Sequence, residues 1–498
     1  MNVNPITRLD YPDPDVIRVE DTYYMVSTTM HFMPGCEILQ SFDLVHWEHV
    51  TYVYETLDHT DAQQLKSGQN IYGQGMWAAS LRYHEGRFFI CFVANDTRKT
   101  YLYTSEKIDG PWKKQLIEGF YHDGSLLFDE DGRNYIVYGN DEIWITELNE
   151  DLTAPKKDGL HRLLVSDHKN PELGYEGAHI QKINGYYYIF LIHSLRDRWM
   201  RTEACFYSDS LEGEFTGGDV LCDDRGYCGQ GVAQGGIVDT PDGKWYAMLF
   251  QDSGAVGRIP ILLPVTWKDH FPVFGQNGHV PEEIEVHSTR PGYIYQPLVG
   301  SDDFCNGLLP RWQFNHDPDP RYYHLDALQG TYTITTREVC TELTQAVNTL
   351  TQRMSYPSCA AEVTVDASAL KEGDVAGLCA LQSCYAAVGI TKHHGKYEVL
   401  MLDKKEDGIL DMTEGTVVES HQMDFRLEAD FCNMKDEARC YYRVNKGDWL
   451  PIGTVHKLYF KLDHFTGCRF GLFCYAAEET GGSACFRDFK YYDVDEIS

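Results

Sequence analysis

Three carboxylates stand in the same kind of setting along this 498-residue sequence. Asp13 lies in "LDYPDPDVIRV", Asp123 in "YHDGSLLFDEDGR" and Glu176 in "GYEGAHIQKING". Each is followed by small or polar residues, a short apolar run, a turn and a cluster of aromatics. Carboxylates that meet in space can divide acid and base work. One, ionised, takes a proton from water, and one, protonated, gives a proton to a leaving oxygen. A third, ionised carboxylate beside the acid raises the acid's pKa by like-charge repulsion. The chemistry this suits is hydrolysis of a glycosidic bond in a neutral sugar. A single carboxylate near a turn is more often a cap or a solvated side chain. The catalytic reading therefore needs an element that brings all three together.

The spacing supplies that element. "YPDPDVIRVEDTYYMV", "GMWAASLRYHEGRFFICF", "YHDGSLLFDEDGRNYIVY", "GYEGAHIQKINGYYYIFL" and "VAQGGIVDTPDGKWYAML" share one plan. Their key positions are Asp13, Trp77, Asp123, Glu176 and Gln234, which start 64, 46, 53 and 58 residues apart. Nine residues on stand Thr22, Gly86, Gly132, Gly185 and Gly243, read as turn residues, four of them glycines suited to the positive φ of hairpin turns. Tyr23, Phe88, Tyr135, Tyr186 and Trp245 follow. Each period is the length of one four-stranded blade, and helical patterning is nearly absent. The expectation is an all-β chain with a five-bladed β-propeller over residues 1–298. Its innermost strands line a channel, so Asp13, Asp123 and Glu176 converge on the axis. Asp15 shares a strand face with Asp13 and is read as a turn support. Trp77 offers a face to a sugar ring or packs in the core. Gln234 fills the fifth slot. Arg258, in "GAVGRIPILLP", binds substrate hydroxyls or pairs with one of the acids. His31, His122 and His179 lack metal-site spacing and are read as polar lining at most.

After "RPGYIYQPLVGSDDF" the repeat ends. About ten alternating strands follow, among them "CAAEVTVDAS", "KYEVLML" and "CRFGLFCY", with turns such as Asn445-Lys446-Gly447. They predict a C-terminal β-sandwich over residues 301–498. Bulk properties set limits. A net charge of −32 disfavours a nucleic-acid partner and leaves a neutral substrate unaffected. The first residues show no basic n-region or apolar h-region, and no run is long enough to span a membrane. The 15 cysteines show no zinc spacing, and several, such as Cys91 and Cys474, lie in apolar runs. Together these point to a cytoplasmic protein with buried, reduced thiols.

The chain resembles glycoside hydrolase family 43, in its two-domain β-xylosidase/α-L-arabinofuranosidase type. The stretches that carry the resemblance run through nearly the whole sequence. They include "NPITRLDYPDPDVIRV", "STTMHFMPGCEILQSFDLVHWE", "GMWAASLRYHEGRFF", "HDGSLLFDEDGR", "YEGAHIQKINGYYY", "GGIVDTPDGKWYAMLFQ", "LPVTWKDHFPVFG", "NTLTQRM" and "GCRFGLFCYAAEETGGSACFRDFKYYD". The resemblance implies an inverting, exo-acting hydrolase that releases xylose or arabinofuranose. It implies Asp13 as general base, Glu176 as general acid and Asp123 as the modulator of the acid's pKa. No cofactor is required, and multimers are suggested. Two departures stand out. "HFMPG" replaces the family's common "EWFPG", so His31, Phe32 and Met33 are expected to reshape a substrate-binding wall. Gln234 replaces a common histidine that sometimes lies beside a channel calcium, which places such a calcium in doubt. Two rivals remain: a retaining invertase-like hydrolase, whose "NDPNG" and "RDP" motifs are absent, and a non-catalytic sugar-binding propeller.

Overall fold

The structure, a computed structural model, describes residues 2–493. The outermost residues of the two expected domains, Met1 and 494–498, lie outside the described residues. Five antiparallel sheets follow one another along the first half. Blade I is Asp15–Val19, Thr22–Val26, Gly35–Ser41 and Glu48–Tyr54. Blade II is Met76–His84, Arg87–Ala94, Lys99–Ser105 and Lys113–Ile117. Blade III runs from Ser125–Phe128 through Asn134–Asn140 and Glu142–Leu148 to His161–Ser166. Blade IV is Glu176–Ile183, Tyr186–Ser194, Arg201–Ser208 and Thr216–Leu221. In blade V the inner edge is split into Val232–Ala233 and Ile237–Asp239, both paired with Trp245–Asp252. Arg258–Lys268 and Phe271–Phe274 complete it. Asn2–Val3 pairs with Glu283–Ile284, which ties the start of the ring to its end.

The strands are apolar on both faces because each blade packs against two neighbours. Ile90 and Phe92 pack towards blade I with Ile38, while Phe89 and Cys91, on the opposite face, pack towards blade III with Leu126 and Ile136. The same alternation joins blades III and IV through Val137 and Ile189, and blades IV and V through Phe190 and Leu249. Met25, Leu39, Met248 and Leu262 close the ring between blades V and I. A period of two with both faces buried is what sheet-on-sheet packing demands.

At the axis, one arginine ties four blades. Arg82 of blade II donates to the Asp15 carboxylate of blade I at 2.8 Å. It also donates to the Ser125 hydroxyl at 2.7 Å and the Leu126 carbonyl at 2.8 Å, both in blade III, and to the Ile180 carbonyl in blade IV at 3.3 Å. Asp15 accepts the Leu81 backbone N–H at 2.7 Å and lies 3.1 Å from His179 Nδ1. Asp15 is thus more than a turn support. Burial pushes its carboxyl up, but Arg82 and His179 outweigh that and hold it below the usual carboxylate range.

The C-terminal half is a two-sheet sandwich. One seven-stranded sheet runs in the order Tyr323–Asp326, Thr331–Thr335, Ser483–Asp493, Ser358–Asp366, Gln422–Asp430, Glu437–Val444, Leu450–Lys457. The facing sheet has Asp374–Leu381, Arg469–Ala476, Leu350–Arg353 and Gln313–Asn315 among its strands, and its last strand is Phe32–Met33 from the propeller. Asn315 pairs with Phe32, and Phe314 with Met33. This corrects the expectation for "HFMPG". Phe32 is buried at the domain boundary, with the Arg469 guanidinium 3.4 Å from its ring centre. His31 is buried there too, among Tyr72, His316 and His464. The segment serves as an edge strand of the sandwich, so its side chains join the two domains.

Losing the axial arginine should be costly. Removing one partner of a buried ion pair typically costs about 3–5 kcal/mol, because the other charge is left unpaired. Arg82→Met should therefore lower the thermal-unfolding midpoint clearly. Adding Asp15→Asn should restore part of the loss. If the double variant is no better than Arg82→Met, Arg82 acts through its contacts to Ser125, Leu126 and Ile180. The stability Asp15 contributes is present above the unfolded carboxylate pKa and is lost as pH falls through the depressed folded value.

Candidate active site

The three carboxylates meet at one mouth of the propeller channel. A pocket of about 290 Å³ is lined by Asp13, Trp77, His122, Asp123, Glu176, Gln234 and Arg258, with further side chains from blade IV and the sandwich. Asp13, Asp123 and Glu176 are separated by up to 163 positions of sequence. Beneath them the channel narrows to a void of about 10 Å³ between Asp13, Asp123, His179 and Gln234. Next to His179, Asp15 bonds in turn to Arg82.

The repeat register needs a one-residue correction in two blades. Val19 pairs with Thr22, so the first hairpin turn is Glu20–Asp21 and Thr22 opens the return strand. The equivalent turns are Glu85–Gly86 and Asn184–Gly185. Counting back from them, Asp13 is matched by Ala78 and Gly177. All three have left-handed φ, of 53°, 26° and 64°, as do Asp123 at 49° and Gln234 at 61°. Trp77 and Glu176 stand one residue earlier, each followed by an irregularity in the strand register. The offset has a chemical result. Asp13 and Asp123 are only 7% and 6% exposed, while the Glu176 side chain is 19% exposed at the pocket. Gly177 suits its place: a Cβ there would lie 2.7 Å from the Gln234 side chain.

Each carboxylate has its own partners. Asp13 accepts the Thr28 hydroxyl at 2.6 Å and an Arg258 N–H at 2.9 Å. Arg258 is buried between the Phe250 and Phe465 rings. Asp123 accepts the Gly177 backbone N–H at 2.9 Å. Glu176 accepts the Asn140 amide at 2.9 Å. His122 stands between the last two, its Nε2 3.4 Å from Glu176 and 3.6 Å from Asp123. The negative charge of Asp123, joined by Glu176 and Asp13, raises the imidazole to about 9 despite its burial. Asp123 is itself pushed up to about 6. Burial is the main cause and the Glu176 and Asp13 charges add to it, against the pull of His122. Gln234 is buried over Gly177, and its backbone N–H donates to Glu203 at 2.7 Å. Trp77 lines the pocket, and its indole N–H is buried with no partner among the described residues.

Several residues escaped the sequence reading. His122 adjoins Asp123 and could have been found from the "HD" pair, but it was read as lining. Phe465 and Leu462, from the sandwich, wall the pocket, and nothing in "KLDHFTGC" marks them for it. Trp199, 44% exposed at the rim, is held beside Arg201, which pairs with Asp252 at 2.6 Å. Phe32 does not line this pocket.

Metal fits poorly here. Among the described residues one group, His122, Asp123 and Glu176, gathers three ligand atoms within 4.8 Å, and these already bond or pair with one another. Calcium needs six or more oxygens. On the axis Asp15 is taken up by Leu81, Arg82 and His179, and a guanidinium already supplies the positive charge.

A propeller that gathers three carboxylates at one mouth of its channel suits glycoside hydrolysis. The profile of glycosyl hydrolases family 43 matches residues 3–272, and that of the β-xylosidase C-terminal concanavalin A-like domain matches residues 301–492. The chain belongs to glycosyl hydrolases family 43. It is similar to a bifunctional GH43-CE protein of Bacteroides eggerthii, with a TM-score of 0.93 and 42% identity over all of this chain, which spans 64% of that protein's length. An engineered GH43 enzyme described as both endo-xylanase and exo-arabinofuranosidase shares 27% identity, with a TM-score of 0.86 over 99% of both chains. A β-xylosidase of Formosa agariphila is 26% identical over 99% of this chain and 89% of its own.

The triad of His122, Asp123 and Glu176 makes a direct prediction. Asp123→Asn removes the largest cause of the raised His122 pKa. The imidazole titration, followed by NMR, should then move from about 9 towards the ordinary 6.5. In the native protein His122 contributes stability that is present below about 6.5 and lost as pH rises through about 9. An unmoved titration in the variant would assign the shift to Glu176 instead.

Proposed function

We propose that the chain removes terminal xylose or arabinofuranose units from hemicellulose-derived oligosaccharides, with inversion at the anomeric carbon. The observation that carries this reading is the dead-ended pocket. Asp13, Asp123 and Glu176 share it, and beneath them the channel narrows to a void of about 10 Å³, too small for a sugar ring. A substrate enters by one end only, so a terminal sugar is cleaved. The relatives named above as β-xylosidase and arabinofuranosidase support pentose as that sugar.

In this reading Asp13 is the base. Arg258 and Thr28 fix its carboxylate, which takes a proton from the attacking water. Glu176, on the more open side, protonates the leaving oxygen while Asn140 and His122 hold its Oε2. Asp123, pushed up to about 6 by burial with the Glu176 and Asp13 charges adding to it, repels charge on Glu176 once it is ionised. That repulsion is the modulation expected of Asp123, and His122 opposes it. Trp77 and Phe465 give the sugar apolar faces, and Gln234 offers an amide to its hydroxyls.

Leaving groups test the division of labour. Removing a general acid costs about 10²–10⁴-fold when the leaving group needs a proton. Glu176→Gln should lose that much on xylobiose and far less on a dinitrophenyl xyloside, since dinitrophenolate leaves almost unaided. Equal losses on both would remove Glu176 from the acid's role. Asp13→Asn should lose nearly all turnover on either substrate. NMR of the first-formed product anomer separates inversion from an invertase-like retaining route. A wild-type protein that binds xylobiose without cleaving it would support the sugar-binding rival.

A further inference from the structure

The sandwich reaches the pocket through residues 461–467, and the contact that fixes this segment is a carboxylate three residues before Asp13. Asp10 is 4% exposed. Its Oδ1 accepts the backbone N–H of Arg258 at 2.8 Å, and its Oδ2 accepts the backbone N–H of Gly467 at 2.8 Å. One side chain thus spans the start of the chain, the last blade and the sandwich. The approach is close on all sides. A Cβ on Gly467 would lie 2.1 Å from the Val256 carbonyl and 2.9 Å from Asp10 Cβ. Cys468 N–H donates to the Ala255 carbonyl at 2.8 Å, extending the same seam.

Both of these partners lead directly into the pocket. Arg258 carries the guanidinium that pairs with Asp13 at 2.9 Å. Two residues before Gly467, the Phe465 ring stands 4.1 Å from that guanidinium and 5.4 Å from the Trp77 ring. The Phe465 carbonyl also accepts from Arg258 at 3.5 Å. We propose that Asp10 is a positioning residue that sets Arg258 against Asp13 and Phe465 against the sugar-binding face, so that one carboxylate registers the two domains at the active site. This rests on the reading of the pocket given above.

Asparagine at this position keeps the size but offers one acceptor oxygen, and its NH₂ then faces a backbone N–H. One of the two bonds is replaced by a donor–donor contact, and the side chain that turns to relieve it pulls on the other, so both Arg258 and Gly467 are displaced. Misplacement of about 1 Å near reacting groups can cost about 10²-fold in rate. Asp10→Asn should accordingly raise KM for an aryl xyloside, through Phe465, and lower kcat, through Arg258, with a combined fall in kcat/KM of ten- to a hundredfold. A merely structural loss would reduce the amount of active enzyme and leave KM unchanged.

The experiment is a double-mutant cycle with Phe465→Ala in the full chain. In the Phe465→Ala background, Asp10→Asn should no longer raise KM but should still lower kcat. Gly467→Ala, which shifts the segment while leaving Asp10 intact, should raise KM as Asp10→Asn does. Wild-type kinetics in Asp10→Asn, or KM effects that simply multiply in the cycle, overturn the proposal. Asp13→Asn is measured alongside. If it keeps turnover, the reading of the pocket fails; if it is inactive while Asp10→Asn behaves as wild type, only the role of Asp10 fails.

Discussion

A carboxylate buried on the axis of a propeller has to be neutralised, and the pairing of Asp15 with Arg82 does this for the whole ring. Their 2.8 Å contact is buried on the Asp15 side and partly buried on the Arg82 side, with the side chains 2% and 13% exposed. Arg82 also donates to blades III and IV and to the Leu81 carbonyl of its own blade, so the charge that balances Asp15 also sets the blades in register around the channel. Desolvated ion pairs are seldom a net source of stability, and their value lies in specifying one arrangement. Here the arrangement specified is the floor of the active site. Asp13 is two residues from Asp15, and His179, which also contacts Asp15, lies three residues after Glu176.

On that floor the acids are kept apart by their surroundings. Asp13 belongs to Arg258 and Thr28, on the blade V and blade I side. Asp123 and Glu176 belong to blades III and IV and share His122. Low solvent exposure strengthens each of these contacts and also makes an extra negative charge costly, which is why the buried Asp123 is pushed up to about 6. Asp123 thus holds its proton in a range where an isolated carboxyl would have lost it.

The second domain completes the site rather than accompanying it. Leu462 and Phe465 supply wall, Arg469 and Arg353 supply buried charge at the seam, and Phe32–Met33 extends the sandwich sheet with propeller residues. Arg353 pairs with Glu37 at 2.8 Å, which adds a buried ion pair across the boundary. With sheet hydrogen bonds, ion pairs and Asp10 all crossing the seam, the boundary near residue 300 separates the sequence patterns more sharply than it separates the packing.

The sequence by itself determined the strands, the number of blades and which three carboxylates would share one pocket. A period of two, glycine-bearing turns and five recurrences of one plan are local signals, and local signals survive in a linear string. Asp13, Asp123 and Gln234 fell in equivalent slots for that reason. Trp77 and Glu176 were set one residue from their true equivalents because a strand irregularity changes the pairing without changing the spacing of residue types. The tertiary structure alone decided the remainder. It turned "HFMPG" into an edge strand of the sandwich, placed His122 between two acids, and brought Phe465 to Arg258 across 207 positions. These contacts join segments far apart in the chain. Their geometry follows from how the blades close around Arg82 and how the sandwich seats on Asp10, and no single stretch of residues carries it.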